Sequence, residues 1–138
     1  MTAATDRVVA TDSAVELLTK LSELHGGLMI HQSGGCCDGS APMCYPANEF
    51  RVGQRDVLLG EIDLAEPIPA VRVWIQGDQY EVWKHTQLIL DVVPGRGAGF
   101  SLEAPEGVRF LARSRVFNEA ENTWLDACPP RRGAEFAT

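Results

Sequence analysis

The sequence predicts an α+β fold, an N-terminal helix packed on a mainly antiparallel β-sheet or sandwich. Three observations predict it. The stretch "TDSAVELLTKLSELHGG" has apolar residues at helical spacing. Later segments such as "AVRVWI" alternate apolar and polar with period two. Glycine and proline divide the remainder into short pieces of strand length.

The helix has clear punctuation. Asp12 or Ser13 suits its N-cap, and Ser13 with Glu16 fits the spacing of a capping box. Val15, Leu17, Leu18, Leu21 and Leu24 form one apolar stripe, and Gly26 and Gly27 supply the stop signal. Strands are expected at "LMIHQ" and at "DVLLGEI", Asp56 to Ile62, with Pro67 to Pro69 marking a connection. In "AVRVWI", Val71, Val73 and Ile75 oppose Arg72, Trp74 and Gln76, the signature of a half-buried strand. "QGDQ" reads as a tight turn, with "YEVWKH" pairing back as a hairpin. "TQLILDVVP" is a strand stopped by Pro94. "GRGAG" turns the chain, "FSLE" forms a short strand and "PEG" turns again; "VRFLARSRVF" reads as strand or helix, its bulky Val108, Phe110, Val116 and Phe117 favouring strand. "NEAENTWLDA" suits a short helix capped by Asn118. Residues 1–11 are expected to be a flexible lead-in, 12–127 a single domain and 128–138 a flexible tail.

At 138 residues, 45% hydrophobic and 22% charged, the chain can bury one core without disulfides. Its net charge of −7 argues against a nucleic-acid partner, which would call for a basic patch. The arginines of "RFLARSR" recur among apolar residues, as on a solvated strand face. The opening "MTAATDRVVATD" lacks the basic start and apolar run of a secretory signal. No segment approaches the roughly 20 apolar residues that cross a bilayer. The expected location is cytoplasmic with no membrane partner, where thiols stay reduced and cysteines serve metals or catalysis more often than disulfides.

Three of the four cysteines crowd into "HQSGGCCDGSAPMCYP", His31 to Pro46. Cys36 and Cys37 are adjacent, Cys44 follows, and Gly34, Gly35 and Gly39 free the backbone to fold around an ion. Vicinal cysteines bridge each other only with strain, but they can both offer thiolates. Such ligands favour zinc, copper(I) or iron–sulfur units. The candidate metal ligands are Cys36, Cys37, Cys44 and His85, with His31 and Asp38 as further donors and Cys128 as a late ligand or an incidental surface thiol. A redox role is the alternative: one thiolate attacks a substrate and Cys44 resolves it. A metal-free structural subunit with buried cysteines is the third reading. The glycines of "GRGAG" precede no clear helix, so a hairpin turn outweighs phosphate binding. Trp74, Trp83 and Trp124 are expected in the core or at an interface.

The segments "SGGCCDGSAPMCYP", "YEVWKHTQLILDVVPGRGAGFSLEAPEG" and "RFLARSRVF" resemble a small, largely uncharacterised bacterial family often encoded beside aldehyde dehydrogenase genes. That resemblance implies a shared pathway and makes an aldehyde dehydrogenase the expected partner; a homodimer is an open alternative to a monomer. The order "AVELLTKL", "GLMIHQ", "SGGCCDGS" and the later "GAGFSLEAPEG" are also similar to HesB/IscA-like iron–sulfur carriers. By that likeness the first cluster cysteine corresponds to Cys37, or to Cys36 with a one-residue shift. Those carriers end in a "CGCG"-type motif, whereas "GVRFLARSRVF" has no cysteine. A shared fold therefore implies a site rebuilt from Cys36, Cys37, Cys44 and His85, holding iron, an iron–sulfur cluster or zinc.

Overall fold

A computed structural model describes residues 6–32, 42–48, 52–95 and 101–136. The architecture is α+β, with two mixed sheets and three α-helices among the described residues. The elements are β1 (Val8–Ala10), α1 (Asp12–His25), β2 (Leu28–Gln32), β3 (Met43–Pro46), β4 (Val57–Ile62), β5 (Val71–Ile75), α2 (Gly77–Trp83), β6 (Thr86–Pro94), β7 (Val108–Val116) and α3 (Glu119–Ala127). None of these helices is long and apolar enough to cross a membrane.

The three-stranded sheet runs β1-β6-β7 and the four-stranded sheet β3-β2-β5-β4. The pairings β1–β6 and β2–β5 are parallel; the other three are antiparallel. The core holds Leu18 and Leu21 of α1, Ile30, Val73 and Ile75 of the four-stranded sheet, and Leu88, Leu90 and Phe110 of the three-stranded one.

Helix α1 forms where its stripe predicts, but its cap lies one residue earlier. Thr11 Oγ1 accepts the Ala14 N–H at 3.2 Å and donates to Asp91 Oδ1 at 2.9 Å. Thr11 N–H also bonds Leu90 O, so the strand leading into the helix selects the cap. That strand, β1, falls within the expected lead-in. Gly26 closes the helix at φ 85°, a left-handed conformation that favours glycine. Leu18 and Leu21 are buried, whereas Leu24 at the end of the stripe is exposed.

The expected "YEVWKH" hairpin is instead helix α2. The reason is topological. Both edges of β5 are occupied, by β2 and β4, so the chain cannot pair back and crosses to the other sheet as β6. "SLE" is not a strand either: it turns into a 3-10 segment, Ala104–Glu106, because Glu103 is drawn into the interior. The strand β7 and the Asn118-capped α3 form as predicted, the latter with a complete capping box. Trp74 and Trp83 are buried and Trp124 is half-buried.

The chain beyond Cys128, expected to be flexible, is hydrogen-bonded from Arg131 to Glu135. Leu58 N–H bonds Arg131 O, Gly133 N–H bonds Asp56 O and Ala134 N–H bonds Gln54 O. Gly133 permits this approach: a Cβ there would meet Gly53 O at 1.9 Å.

Candidate functional site

The cysteine-rich loop is the connection of a β-hairpin. Strands β2 and β3 pair antiparallel, with Ile30 opposite Cys44 and His31 opposite Met43. Cys36, Cys37 and Asp38, with the glycines around them, lie outside the described residues, as do residues 96–99 of the "GRGAG" segment and Phe100. The base of the hairpin is well defined. Successive strand residues face opposite sides of a sheet, so Cys44 and His31 leave that base in opposite directions.

Cys44 points into the core beside Ile30 and is fully buried. Its backbone N–H donates to Ser101 Oγ at 2.8 Å, and its carbonyl accepts Leu102 N–H at 3.0 Å. The Ser101 hydroxyl donates in turn to Glu103 Oε1, and Phe110 N–H reaches Glu103 Oε2 at 3.5 Å. Glu103 is 1% exposed, a buried carboxylate held by this short chain of donors. Burial pushes the Cys44 thiol strongly up, and the negative charge of Glu103 pushes it further. The same two causes raise the Tyr45 phenol. Both influences favour the protonated form of the Cys44 thiol.

On the opposite face, His31 is 5% exposed and its Nε2 lies 3.0 Å from Asp56 Oδ2. That oxygen also accepts Gly53 N–H at 2.8 Å. The turn carrying Asp56 is the one bound by the C-terminal tail.

His85 sits elsewhere. It is exposed between α2 and β6, its carbonyl accepting Phe117 N–H at 2.9 Å. Phe110, which binds Glu103, pairs with Val92, six residues along β6 from Thr86. At about 3.3 Å per residue, His85 and the Cys44–Glu103 cluster are roughly 20 Å apart. Cys128 is exposed at the end of α3. Among the described residues, no group of three or more His, Cys, Asp or Glu side chains is arranged to hold a metal ion. The hairpin thus brings Cys44 and His31 to the two sides of the loop base and leaves His85 and Cys128 apart from it.

Ser101, Glu103 and Asp56 escaped the sequence reading. "FSLE" passes for an ordinary strand, and Asp56 for the polar start of an apolar run. A glutamate closing the stretch Phe100–Ser101–Leu102 was the available hint of a buried carboxylate.

A family model described as a domain of unknown function, DUF779, matches residues 17–116. The chain belongs to the DUF779 family. None of the curated proteins matches it. The DUF779 match spans both loop-base clusters, taking in His31, Cys44, Asp56, Ser101 and Glu103.

Proposed function

We propose that this DUF779 protein is a small accessory protein that holds a soft transition metal through its hairpin loop. Cys36 and Cys37 supply thiolates from the loop, and Cys44 supplies a third from its base. The supporting sequence facts are three thiols in a short glycine-rich segment and an expected reducing location.

The observation that carries the reading is the burial of Glu103 beside Cys44. A carboxylate next to a buried thiol opposes thiolate formation. A divalent cation within reach of both reverses that, offsetting the carboxylate and displacing the thiol proton. Zinc, iron and an iron–sulfur cluster all suit thiolate ligands, the last in keeping with the likeness to HesB/IscA-like carriers. His85, at the far end of β6, is the ligand this geometry favours least. An accessory role in aldehyde oxidation, with an aldehyde dehydrogenase as partner, rests on the gene neighbourhood of the family the sequence resembles.

Purification without chelator, followed by elemental analysis and an absorption spectrum, tests the reading. The expected result is about one equivalent of a transition metal, lost in Cys37→Ser and weakened in Glu103→Gln. Less than about a tenth of an equivalent, unchanged by Cys37→Ser, overturns it.

A second reading is supported by the other face of the loop base. The buried His31–Asp56 pair is the arrangement that orients an imidazole as a base for a thiol nucleophile, here Cys36 or Cys37. It predicts a loop cysteine that alkylates rapidly at about pH 6, and slowly in Asp56→Asn. Alkylation of both loop cysteines at free-thiol rates rules it out.

A further inference from the structure

The turn that carries Asp56 is held from outside by the C-terminal segment. Three successive carbonyls of the turn accept from it: Gln54 O from Ala134 N–H at 3.0 Å, Arg55 O from Arg132 Nη1 at 3.5 Å and Asp56 O from Gly133 N–H at 2.7 Å. Leu58 N–H returns a bond of 2.8 Å to Arg131 O, and Val57 faces Arg132 in an antiparallel bridge. Gly133 lies so close that a Cβ there would overlap Gly53 O, at 1.9 Å. From the other side Gly77, the first residue of α2, presses on the same turn, where a Cβ would stand 2.6 Å from Arg55 O. Pinned between these glycines, the turn folds back on itself. Asp56 N–H bonds Gly53 O, and Gly53 N–H bonds Asp56 Oδ2, the oxygen 3.0 Å from His31 Nε2.

Of Arg131 to Glu135 only Gly133 is buried, so these five residues are seated by backbone hydrogen bonds rather than by apolar side chains. Such bonds are exchanged for bonds to water at small net cost, which places the segment among the parts of a fold that open first. The segment also lies outside residues 17–116, so the turn belongs to the family domain and its outer hold does not.

We propose that Arg131–Glu135 is a releasable strap that sets Asp56 against His31, with Gly133 as its positioning residue. Seated, it fixes the carboxylate on the imidazole. Released, it frees the Gly53–Asp56 turn and the pair loosens. This deepens the second reading above by naming what holds its His31–Asp56 pair in place.

The test is native-state hydrogen exchange on the full-length, nitrogen-15-labelled protein. Leu58, Gly133 and Ala134 report the strap, Gly53 reports Asp56, and Val73 reports the core. The first four should share one protection factor to within about threefold, below that of Val73. Gly133→Ala cannot seat the strap. It should lower protection of Leu58, Ala134 and Gly53 at least about tenfold and shift the His31 ring signals, leaving Val73 within about threefold. Release of Leu58 and Ala134 with Gly53 and His31 unchanged overturns the proposal, because the segment then only covers the edge of β4. A strap that stays seated in Gly133→Ala overturns it too. If that variant does not fold, the wild-type values decide: Gly53 as protected as Val73, while Leu58 and Ala134 exchange faster, overturns it. No cysteine enters these readouts. Loosening of Gly53 and His31 with unchanged alkylation of the loop cysteines supports the strap and counts against the second reading alone.

Discussion

On the three-stranded sheet, charged groups meet in water. Arg113 Nε donates to Asp91 Oδ2 at 2.7 Å, and Arg115 holds Glu121 through two bonds of 3.0 and 2.8 Å, with both arginines about half exposed. At the base of the β2–β3 hairpin, polar groups meet out of water: His31 with Asp56 on one face of the four-stranded sheet, and Ser101 with Glu103 behind Cys44 on the other. Solvated pairs contribute little to stability and can be lost cheaply. Buried ones cost desolvation and need full pairing. Their concentration around one hairpin base makes that end of the molecule the candidate site.

The largest effect that sharpens this contrast comes from the interface between the sheets. Phe110 on β7 is fully buried, so Phe110→Ala should cost about 3–5 kcal/mol in urea denaturation. Glu103→Leu comes next. It strips the acceptor from Ser101 and Phe110 N–H and should cost about 1–3 kcal/mol, whereas Arg113→Gln on the solvated sheet should cost less than about 1 kcal/mol. Equal losses in these two variants would erase the distinction between buried and solvated pairs.

The smallest effect lies in acid. The Arg115 guanidinium, then the Asn118 N–H, hold the Glu121 carboxyl down at about 2, against an ordinary value of 4.5. Arg113, then the Val92 N–H, likewise lower Asp91. A carboxyl depressed in the folded state adds stability that is complete above its unfolded value and is lost as pH falls through its folded one. Thermal melts should therefore show stability declining from about pH 4.5 toward 2, with a shallower decline in Arg115→Gln. An unchanged slope in that variant would mean the pair is not formed in solution.

Most strands and the two amphipathic helices were legible because their signals are local. The stripe of Leu18 and Leu21, the alternation of Val71, Val73 and Ile75, and the cap at Asn118 each act within a few residues. Helix α2 was not legible, since "YEVWKH" becomes helical only because β5 has no free edge. The candidate site was legible in part. Clustered thiols announce themselves, but the partnership of Cys44 with Glu103 joins positions 59 residues apart, and the isolation of His85 depends on the run of β6.

By itself, the sequence determined the α+β class, the N-terminal helix, most strands and the crowding of three thiols into one glycine-rich segment. Periodicity, capping and composition are properties of neighbours along the chain. The tertiary structure decided which of those groups leave water together. It turned Cys44 inward against Glu103, set His31 outward against Asp56, and carried His85 to the far end of β6. Burial and electrostatic pairing depend on distances in space, which strand order and register fix only once the two sheets have closed on each other.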